Sequence, residues 1–136
     1  MEHKHGEEFL SRVFTAREIA YCTDRKMSEL HYAGRWAAKE AVVKALCSGA
    51  QGGGGAALAA LAAALKGGGG PLRDIEVLPS EVAVGEGGRL LPGAPAVLLH
   101  GGAARLAEAL GLAPLGGVKL SISHAGDYAV AVAALP

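Results

Sequence analysis

Cysteine and net charge are both scarce in this chain of 136 residues, and each shortage excludes a class of protein. The two cysteines, Cys22 and Cys47, are too few and too far apart for a disulfide scaffold or a zinc site. Thirteen basic residues balance thirteen acidic ones, so no overall charge attracts nucleic acid or an anionic membrane. No apolar run approaches the roughly 20 residues needed to cross a bilayer. These absences favour a reduced intracellular protein that binds neither nucleic acid nor a membrane.

The first residues, MEHKHGEEFL, lack the features of a targeting segment. They contain no apolar stretch of the kind that a secretory signal needs, and they are too acidic for an organelle transit peptide. We therefore expect a cytoplasmic protein. An organelle location would require a targeting segment upstream of Met1.

Helical signals dominate the first third of the chain. Thr15 followed three residues later by Glu18 is a capping box, which predicts a helix over about residues 16–28. Before it, the apolar residues of FLSRVF recur at helical spacing. A break is expected around residues 31–34, before a main helix over residues 35–47. The residues that mark this break are His31, Tyr32 and Gly34.

Two glycine tracts enclose an Ala/Leu segment at about residues 50–70, GAQGGGGAALAALAAALKGGGGP. Glycine loses much entropy when it is ordered, so the tracts are predicted to be flexible linkers. The segment between them has strong helix propensity but is too short to be stable without a packing partner. We interpret the stretch as a low-complexity insertion without a chemical role, and we expect deletion of residues 52–70 to be tolerated. A phosphate-binding loop is excluded, because no Gly-Lys-Ser/Thr closes it.

The second half of the chain predicts strands. RDIEVLP and APAVLLHG are apolar runs bounded by turn residues, and GAARLAEALGL predicts a short helix that ends at Gly111. VKLSISH alternates strictly, with Val118, Leu120 and Ile122 on one side, and the run YAVAVAAL completes an antiparallel hairpin. Because helices come first and an antiparallel sheet follows, the predicted fold class is α+β, in a single domain over residues 1–136.

The segment GRWAAKEAVVKAL, residues 34–46, places several charges in an apolar helix. On a helix, Glu40 and Lys44 share a face with Trp36, and Lys39 is expected beside them. A carboxylate can hold Mg²⁺, and neighbouring lysines can neutralise phosphate oxygens. The alternative is a salt bridge between Glu40 and Lys44, worth about 0.2–0.5 kcal/mol. Residue spacing alone leaves both interpretations open.

The motif WAAKEAVVK also resembles the signature of phosphopantetheinyl transferases: an aromatic residue, a small one, any residue, Lys-Glu, a small residue, two more, then Lys. The segments FLSRVFTAREIAYC, DIEVL, VLLHGGAARLAEALG and VKLSISHAGDYAVAVA resemble the short bacterial type, the holo-[acyl-carrier-protein] synthases. Apart from the glycine-rich insertion, the likeness covers nearly the whole chain in the right order. It implies the phosphopantetheinyl transferase fold, with N-terminal helices packed on a small antiparallel sheet.

The resemblance implies an enzyme that moves the phosphopantetheine arm of coenzyme A onto a serine of apo acyl carrier protein. Coenzyme A is then a co-substrate, Mg²⁺ the cofactor, and adenosine 3′,5′-bisphosphate the second product. By motif, Glu40 corresponds to the metal-binding carboxylate and, through water, to a base. Lys44 corresponds to the family lysine that contacts phosphate and helps to orient the nucleophile.

Further binding residues follow from the same resemblance. Lys39 and Arg35 lie in the motif and are expected to contact phosphate or the carrier protein. His124, at the end of SISH, resembles the family histidine near the nucleotide phosphates, with Ser123 beside it. Without the family, a turn-capping role for His124 remains the alternative.

The resemblance also implies partners. The bacterial-type enzymes are homotrimers with the site at the subunit boundary, so a homotrimer is expected here. The carrier protein is acidic, and basic residues on the early helices are candidates to steer it, with a solvated helix face as the alternative. These residues are Arg12, Arg17, Arg25 and Lys26.

One part of the family pattern has no counterpart in this sequence. The family opens with a Gly-Ile/Val-Asp strand whose Asp is a second carboxylate on Mg²⁺, whereas this chain matches only downstream of that strand. We expect an exposed sheet edge and weaker metal binding. The alternatives for the chain as written are an inactive homologue and a non-catalytic module that binds coenzyme A or the carrier protein. The carrier that is served, whether for fatty acids or polyketides, is left open.

Overall fold

A computed structural model describes residues 2–65, 70–79, 81–84, 87, 89–92 and 94–136. The helices within these ranges are α1 (Glu2–Val13), α2 (Ala16–Thr23), α3 (Ser28–Gly52), α4 (Gly55–Leu65), α5 (Gly70–Arg73) and α6 (Gly101–Ala109). The strands are β1 (Ile75–Leu78), β2 (Glu81–Val84), β3 (Arg89–Pro92), β4 (Ala96–Leu99), β5 (Lys119–Ala125) and β6 (Tyr128–Ala134). None of the described helices combines the length and the apolar character needed to cross a bilayer.

The strands form three antiparallel pairs, β1 with β4, β2 with β3, and β5 with β6. The predicted β5–β6 hairpin is confirmed, and so is its alternation, because Val118 and Leu120 are buried while Lys119 and Ser121 are exposed. The β2–β3 hairpin was not predicted. The α+β fold class is confirmed, with small strand pairs around a long helix.

The hydrophobic core lies around α3. Its buried side packs against β1, β4 and α6, and the hairpin β5–β6 covers another side of the same helix. Val42 and Leu46 on α3 meet Ile75 of β1, Val97 of β4 and Leu106 of α6 in one cluster. This long helix therefore contacts elements on several sides: α2, α4, α5, α6, β1, β5 and β6.

Helix α3 runs straight through the predicted break. His31, Tyr32 and Gly34 all lie inside it, so the expected bend is wrong. Gly34 has another function: a Cβ atom at this position would lie 2.6 Å from Nε2 of His124. The glycine therefore allows a side chain of β5 to approach the helix.

The capping box is confirmed at the start of α2. The Thr15 side chain accepts a hydrogen bond from the Glu18 amide (3.3 Å), and Oε1 of Glu18 accepts one from the Thr15 amide (2.9 Å). The helix ends at Thr23, earlier than predicted, and a turn leads to α3.

The Ala/Leu segment forms the predicted helix, α4, which packs against α6. Ala57 and Ala64 are buried, and Gly102 of α6 approaches Ala64 so closely that a Cβ atom would lie 2.8 Å from its Cα atom. The first glycine tract was predicted to be a flexible linker, but it contains the end of α3, a two-residue turn and the start of α4. The second tract lies largely outside the described residues.

Candidate active site

The charged motif on α3 is divided between the core and the surface. Lys39 is completely buried, and its ammonium group donates hydrogen bonds to Oε1 of Glu18 (2.7 Å), to the Leu72 carbonyl (2.9 Å) and to the Ile75 carbonyl. An ammonium group has three hydrogens, and all three have protein acceptors. Lys39 was predicted as a ligand-binding residue, but its contacts instead join α3 to α2, α5 and β1. We correct its role to a structural one.

Glu18 completes this buried pair. Its second carboxylate oxygen, Oε2, accepts a hydrogen bond from the amide of Val77 (2.9 Å). Burial lowers the pKa of Lys39, and the charge of Glu18 opposes that shift. Both charged groups are hydrogen-bonded, and these bonds offset the cost of burying the two charges.

Glu40 and Lys44 have the opposite environment, since both are exposed on one side of α3. Among the described residues they form no salt bridge, so the predicted alternative of an intrahelical ion pair is not what the structure contains. Glu40 instead accepts a hydrogen bond at Oε1 from Nε1 of Trp36 (2.6 Å). An anionic and a cationic group are thus both open to a ligand.

His124 lies against the first half of α3. Its Nε2 atom donates a hydrogen bond to the Leu30 carbonyl (3.0 Å), next to the space left by Gly34. A carbonyl oxygen can only accept, so this contact assigns a hydrogen to Nε2. The exposed His124 side chain therefore links β5 to α3, and its predicted alternative as a turn cap does not describe this contact.

Two arginines and a histidine lie around the ring of Tyr21. The guanidinium carbons of Arg25 and Arg35 lie 3.9 Å and 4.2 Å from the centre of its ring, and the His31 ring lies 5.8 Å away. The ring of His31 in turn lies 6.3 Å from that of His124. Burial lowers the pKa of His31, and the charges of Arg35, His124 and Arg25 lower it further. We call these five residues the Tyr21 cluster.

Arg35 is the most buried member of the Tyr21 cluster, at 7% exposure. Within the described part of the chain, its Nε atom is buried without a hydrogen-bond partner. An unpaired buried donor costs free energy unless a ligand or water satisfies it. The cluster has the charge and the open donor to bind an anion.

The structure separates several residues that were predicted to act together. Arg35 and Glu40 are five residues apart on α3, which places them about 140° apart around the helix axis. Ser123 pairs with Val130 and is exposed on the outer face of the hairpin, whereas His124 faces α3. The side chains of these two neighbours therefore point to opposite faces of the strand, and the predicted contact of Ser123 with phosphate stays a prediction.

A second polar network lies at the junction of α2, β1 and α6. The buried carboxylate of Glu76 accepts hydrogen bonds from Thr15 (2.6 Å), from Arg17 (2.6 Å and 3.1 Å) and from His100 (2.9 Å). Burial alone would raise the pKa of Glu76, but these bonds outweigh it and hold the pKa at about 2 instead of the usual 4.5. The network fixes α2 on β1, and it occupies one of the arginines that was predicted to steer a partner.

The described residues offer a single carboxylate for a metal ion at the motif. No group of three His, Cys, Asp or Glu side chains within them could hold a metal by itself. Mg²⁺ usually keeps several waters and binds one or two carboxylates together with substrate phosphates. The exposed, un-neutralised carboxylate of Glu40 fits a Mg²⁺ ion that is shared with a phosphate ligand, and it does not fit a metal held by protein alone.

Tyr21, His31 and Trp36 were not predicted as site residues. His31 was interpreted as part of a chain break, and Trp36 only as a neighbour of Glu40. The useful signal was helical spacing, because Tyr21–Arg25, His31–Arg35 and Trp36–Glu40 are all four residues apart.

Comparison with known proteins places the chain in a family. The profile of the 4′-phosphopantetheinyl transferase superfamily matches residues 1–83. A holo-[acyl-carrier-protein] synthase from Gloeobacter violaceus is 36% identical over 96% of this chain and 77% of its own length. The chain therefore belongs to the 4′-phosphopantetheinyl transferase superfamily. This confirms the resemblance inferred from the motif.

Two other relatives are matched over a smaller share of their length. A holo-[acyl-carrier-protein] synthase from Protochlamydia amoebophila is 65% identical over 46 residues, 34% of this chain and 38% of that protein. Fatty acid synthase subunit alpha from Schizosaccharomyces pombe is 39% identical over 94% of this chain, which spans only 5% of that subunit.

Proposed function

We propose that this chain transfers the 4′-phosphopantetheine arm of coenzyme A to a serine of an apo acyl carrier protein, in a Mg²⁺-dependent reaction. The observation that carries the proposal is the division of the Lys-Glu motif on α3. Lys39 supports the fold, while Glu40 and Lys44 are exposed side by side. The motif thus presents a carboxylate for Mg²⁺, Glu40, and a cation for phosphate, Lys44, at the protein surface.

The reaction forms a bond between the serine oxygen and the phosphorus that bears the pantetheine arm. The bond from that phosphorus to the bridging oxygen of the diphosphate breaks, and adenosine 3′,5′-bisphosphate leaves with the electron pair. Such transfers are catalysed mainly by positioning and by neutralisation of charge. Mg²⁺, when bound, would supply charge to the diphosphate oxygens, and Glu40 is the residue that would hold it.

Lys44 and the Tyr21 cluster have separate parts in this proposal. Lys44, a flexible cation one turn after Glu40, neutralises a phosphate oxygen near the reacting centre. The Tyr21 cluster binds another phosphate of the nucleotide, for which Arg35 has an open donor and His31 and His124 have ring nitrogens. The serine proton passes to a base, either Glu40 through water or water itself.

Because Arg35 and Glu40 face different directions on one helix, we propose that the site is completed by a second subunit in a homotrimer. The outer face of β6 supports this assembly. Tyr128, Val130 and Val132 are exposed there at 77%, 60% and 65%, which is unusual for a row of large apolar side chains. The carrier protein and coenzyme A are the proposed partners.

A transfer assay tests the proposed function. The chain is incubated with coenzyme A, Mg²⁺ and an apo carrier protein, and the carrier is weighed by mass spectrometry for a phosphopantetheine adduct on its serine. A free bacterial carrier protein and a carrier domain of a fungal fatty acid synthase are compared. Glu40→Gln is expected to slow transfer steeply, with partial recovery at high Mg²⁺. An unchanged rate would remove Glu40 from the metal site.

A non-catalytic binding module is the second candidate. It is favoured by the single carboxylate at the motif among the described residues, which gives Mg²⁺ few protein ligands. Calorimetry separates the two functions. Binding of coenzyme A that is insensitive to Mg²⁺, without any transfer to either carrier, would support the module.

A further inference from the structure

We infer that Trp36 is a positioning residue whose indole N–H holds the carboxylate of Glu40 ready for a divalent cation. The inference rests on the proposed function, in which Glu40 receives the metal. Trp36 and Glu40 are four residues apart on α3, and the indole nitrogen lies 2.6 Å from Oε1 of Glu40. A hydrogen bond to a carboxylate is stronger than one between neutral groups, so it can restrict an exposed side chain.

The choice of donor matters because the indole is neutral. A lysine or arginine in the same place would fix Glu40 but would also cancel its charge. Lys44 is one turn away on the other side of Glu40, yet within the described residues the two form no salt bridge. Glu40 keeps its negative charge, and its Oε2 atom has no partner in the described part of the chain. That oxygen is open to a cation.

A residue of helix α1 contacts Trp36 and restricts its position. The Trp36 ring stacks on the ring of Phe9, with centroids 5.4 Å apart and planes inclined by 19°. Helix α1 is fixed at its end by Val13 and Phe14, which are both buried. The position of Glu40 is thus determined by two helices rather than by its own rotamer alone.

Groups that orient a metal ligand commonly change metal affinity or activity by 10–100-fold when they are removed. Trp36→Phe removes the N–H donor and retains a smaller aromatic ring that can still stack on Phe9. It is therefore the variant that separates positioning from packing. Glu40→Gln is its counterpart, because the amide oxygen can still accept from Trp36 but carries no charge.

The test measures metal binding without turnover. Mn²⁺ replaces Mg²⁺, since both prefer oxygen ligands in octahedral geometry, and its binding is followed by electron paramagnetic resonance with coenzyme A and no carrier protein. For Trp36→Phe we expect the dissociation constant of Mn²⁺ to rise roughly tenfold or more, with a melting temperature close to that of the unmodified chain. Glu40→Gln should raise the constant further.

A second readout uses the unmodified chain. Trp36 is the only tryptophan, so all tryptophan emission comes from the ring that contacts Glu40. We expect a saturable change in emission when Mg²⁺ is added with coenzyme A, and no such change in Glu40→Gln. This readout decides the inference if Trp36→Phe fails to fold.

The outcomes distinguish the two levels of proposal. Normal Mn²⁺ affinity in Trp36→Phe, together with lower affinity in Glu40→Gln, overturns the positioning role and leaves the proposed function intact. Normal affinity in Glu40→Gln, or no Mn²⁺ binding to the unmodified chain, overturns both. A constant emission during the Mg²⁺ titration of the unmodified chain also contradicts the inference.

Discussion

Lys39 and Glu40 are neighbours in the chain but lie in opposite environments. A helix turns by about 100° per residue, so one of two adjacent charged residues can face the core while the next faces solvent. Lys39 can be buried because Glu18 and two carbonyl groups accept all its hydrogens. From the sequence, both were predicted to bind ligand. The buried role of Lys39 was missed because its partner in the core, Glu18, is 21 residues away in the chain. Long-range pairs of this kind are not visible in local spacing.

Glu76 makes the stability of the protein depend on pH in a defined range. Its pKa of about 2 in the folded protein is below the usual 4.5, so the folded state binds this proton less readily than the unfolded state. The stabilisation is therefore complete above about pH 4.5 and is lost as the pH falls towards 2. It amounts to about 3 kcal/mol, since one pKa unit corresponds to about 1.4 kcal/mol.

The check is urea denaturation of the unmodified chain and of Glu76→Gln between pH 6 and pH 2. Other carboxylates titrate in both proteins, so the difference between the two free energies of unfolding isolates Glu76. We expect this difference to shrink by about 3 kcal/mol as the pH falls. A difference that is constant across this range would contradict the network around Glu76.

At the scale of elements, the approach of β5 to α3 depends on one residue without a side chain. Gly34→Ala places a methyl group 2.6 Å from Nε2 of His124, which is the movable end of a side chain. We expect His124 to leave the Leu30 carbonyl while the fold is retained, because alanine is the better helix former by about 1 kcal/mol. Affinity for coenzyme A should fall about tenfold, comparable to one lost hydrogen bond to a charged group.

Gly52→Ala is the matched control for this change. Gly52 lies on the same helix, and a Cβ atom there meets nothing within 4 Å. Both variants should melt at or slightly above the temperature of the unmodified chain, and only Gly34→Ala should bind coenzyme A less tightly in calorimetry. Equal affinities would exclude His124 from the nucleotide site.

Local patterns predicted those elements whose stability is decided locally. The capping box placed the start of α2, strict alternation placed β5, and Gly111, with a φ of +76°, follows the end of α6 as expected. The errors arose where distant parts of the chain decide. Gly34 was interpreted as a break because its contact, His124, is far away in sequence. The β2–β3 hairpin was missed because its strands are short and do not alternate clearly.

Helix α4, in the glycine-rich segment, is another element whose packing could not be predicted from local sequence patterns. Sequence predicted a removable insertion, whereas the structure packs this helix against α6 through Ala57 and Ala64. Ala64→Leu should therefore overpack the contact with Gly102 and destabilise the protein by about 1–3 kcal/mol. Ala63→Leu makes the same change on an exposed position of the same helix and should alter stability by less than about 0.5 kcal/mol.

Chemical denaturation of these two variants decides between the interpretations. A large loss for Ala64→Leu alone means that α4 is part of the core, and deletion of residues 52–70 would then expose Leu106 and Ala103. Equal free energies of unfolding for Ala64→Leu and Ala63→Leu would instead support the prediction of a flexible insertion.

At the scale of the whole molecule, the outer face of β6 has no cover in the described part of the chain. The inner face of this strand packs on α3, whereas Tyr128, Val130 and Val132 face outward. On β5, Ser121 lies opposite Val132 and Ser123 lies opposite Val130, whereas the partner of Tyr128 is Ala125. The face is therefore apolar along β6 and mostly polar along β5. Burial of three such side chains between subunits would contribute about 1.5–3 kcal/mol for each one that becomes fully buried. A monomer would leave this surface exposed to aggregation.

Val130→Glu tests the proposed assembly, because a charge at the centre of this face cannot be buried without a partner. We expect the unmodified chain to sediment as a trimer of its 13.6 kDa mass and the variant to sediment as a monomer. Ala62→Glu adds the same charge to an exposed position on α4 and should leave the trimer intact. If the site is shared between subunits, Val130→Glu also loses transfer activity although Glu40 and the Tyr21 cluster are unchanged. An active monomer would show that one chain contains the complete site.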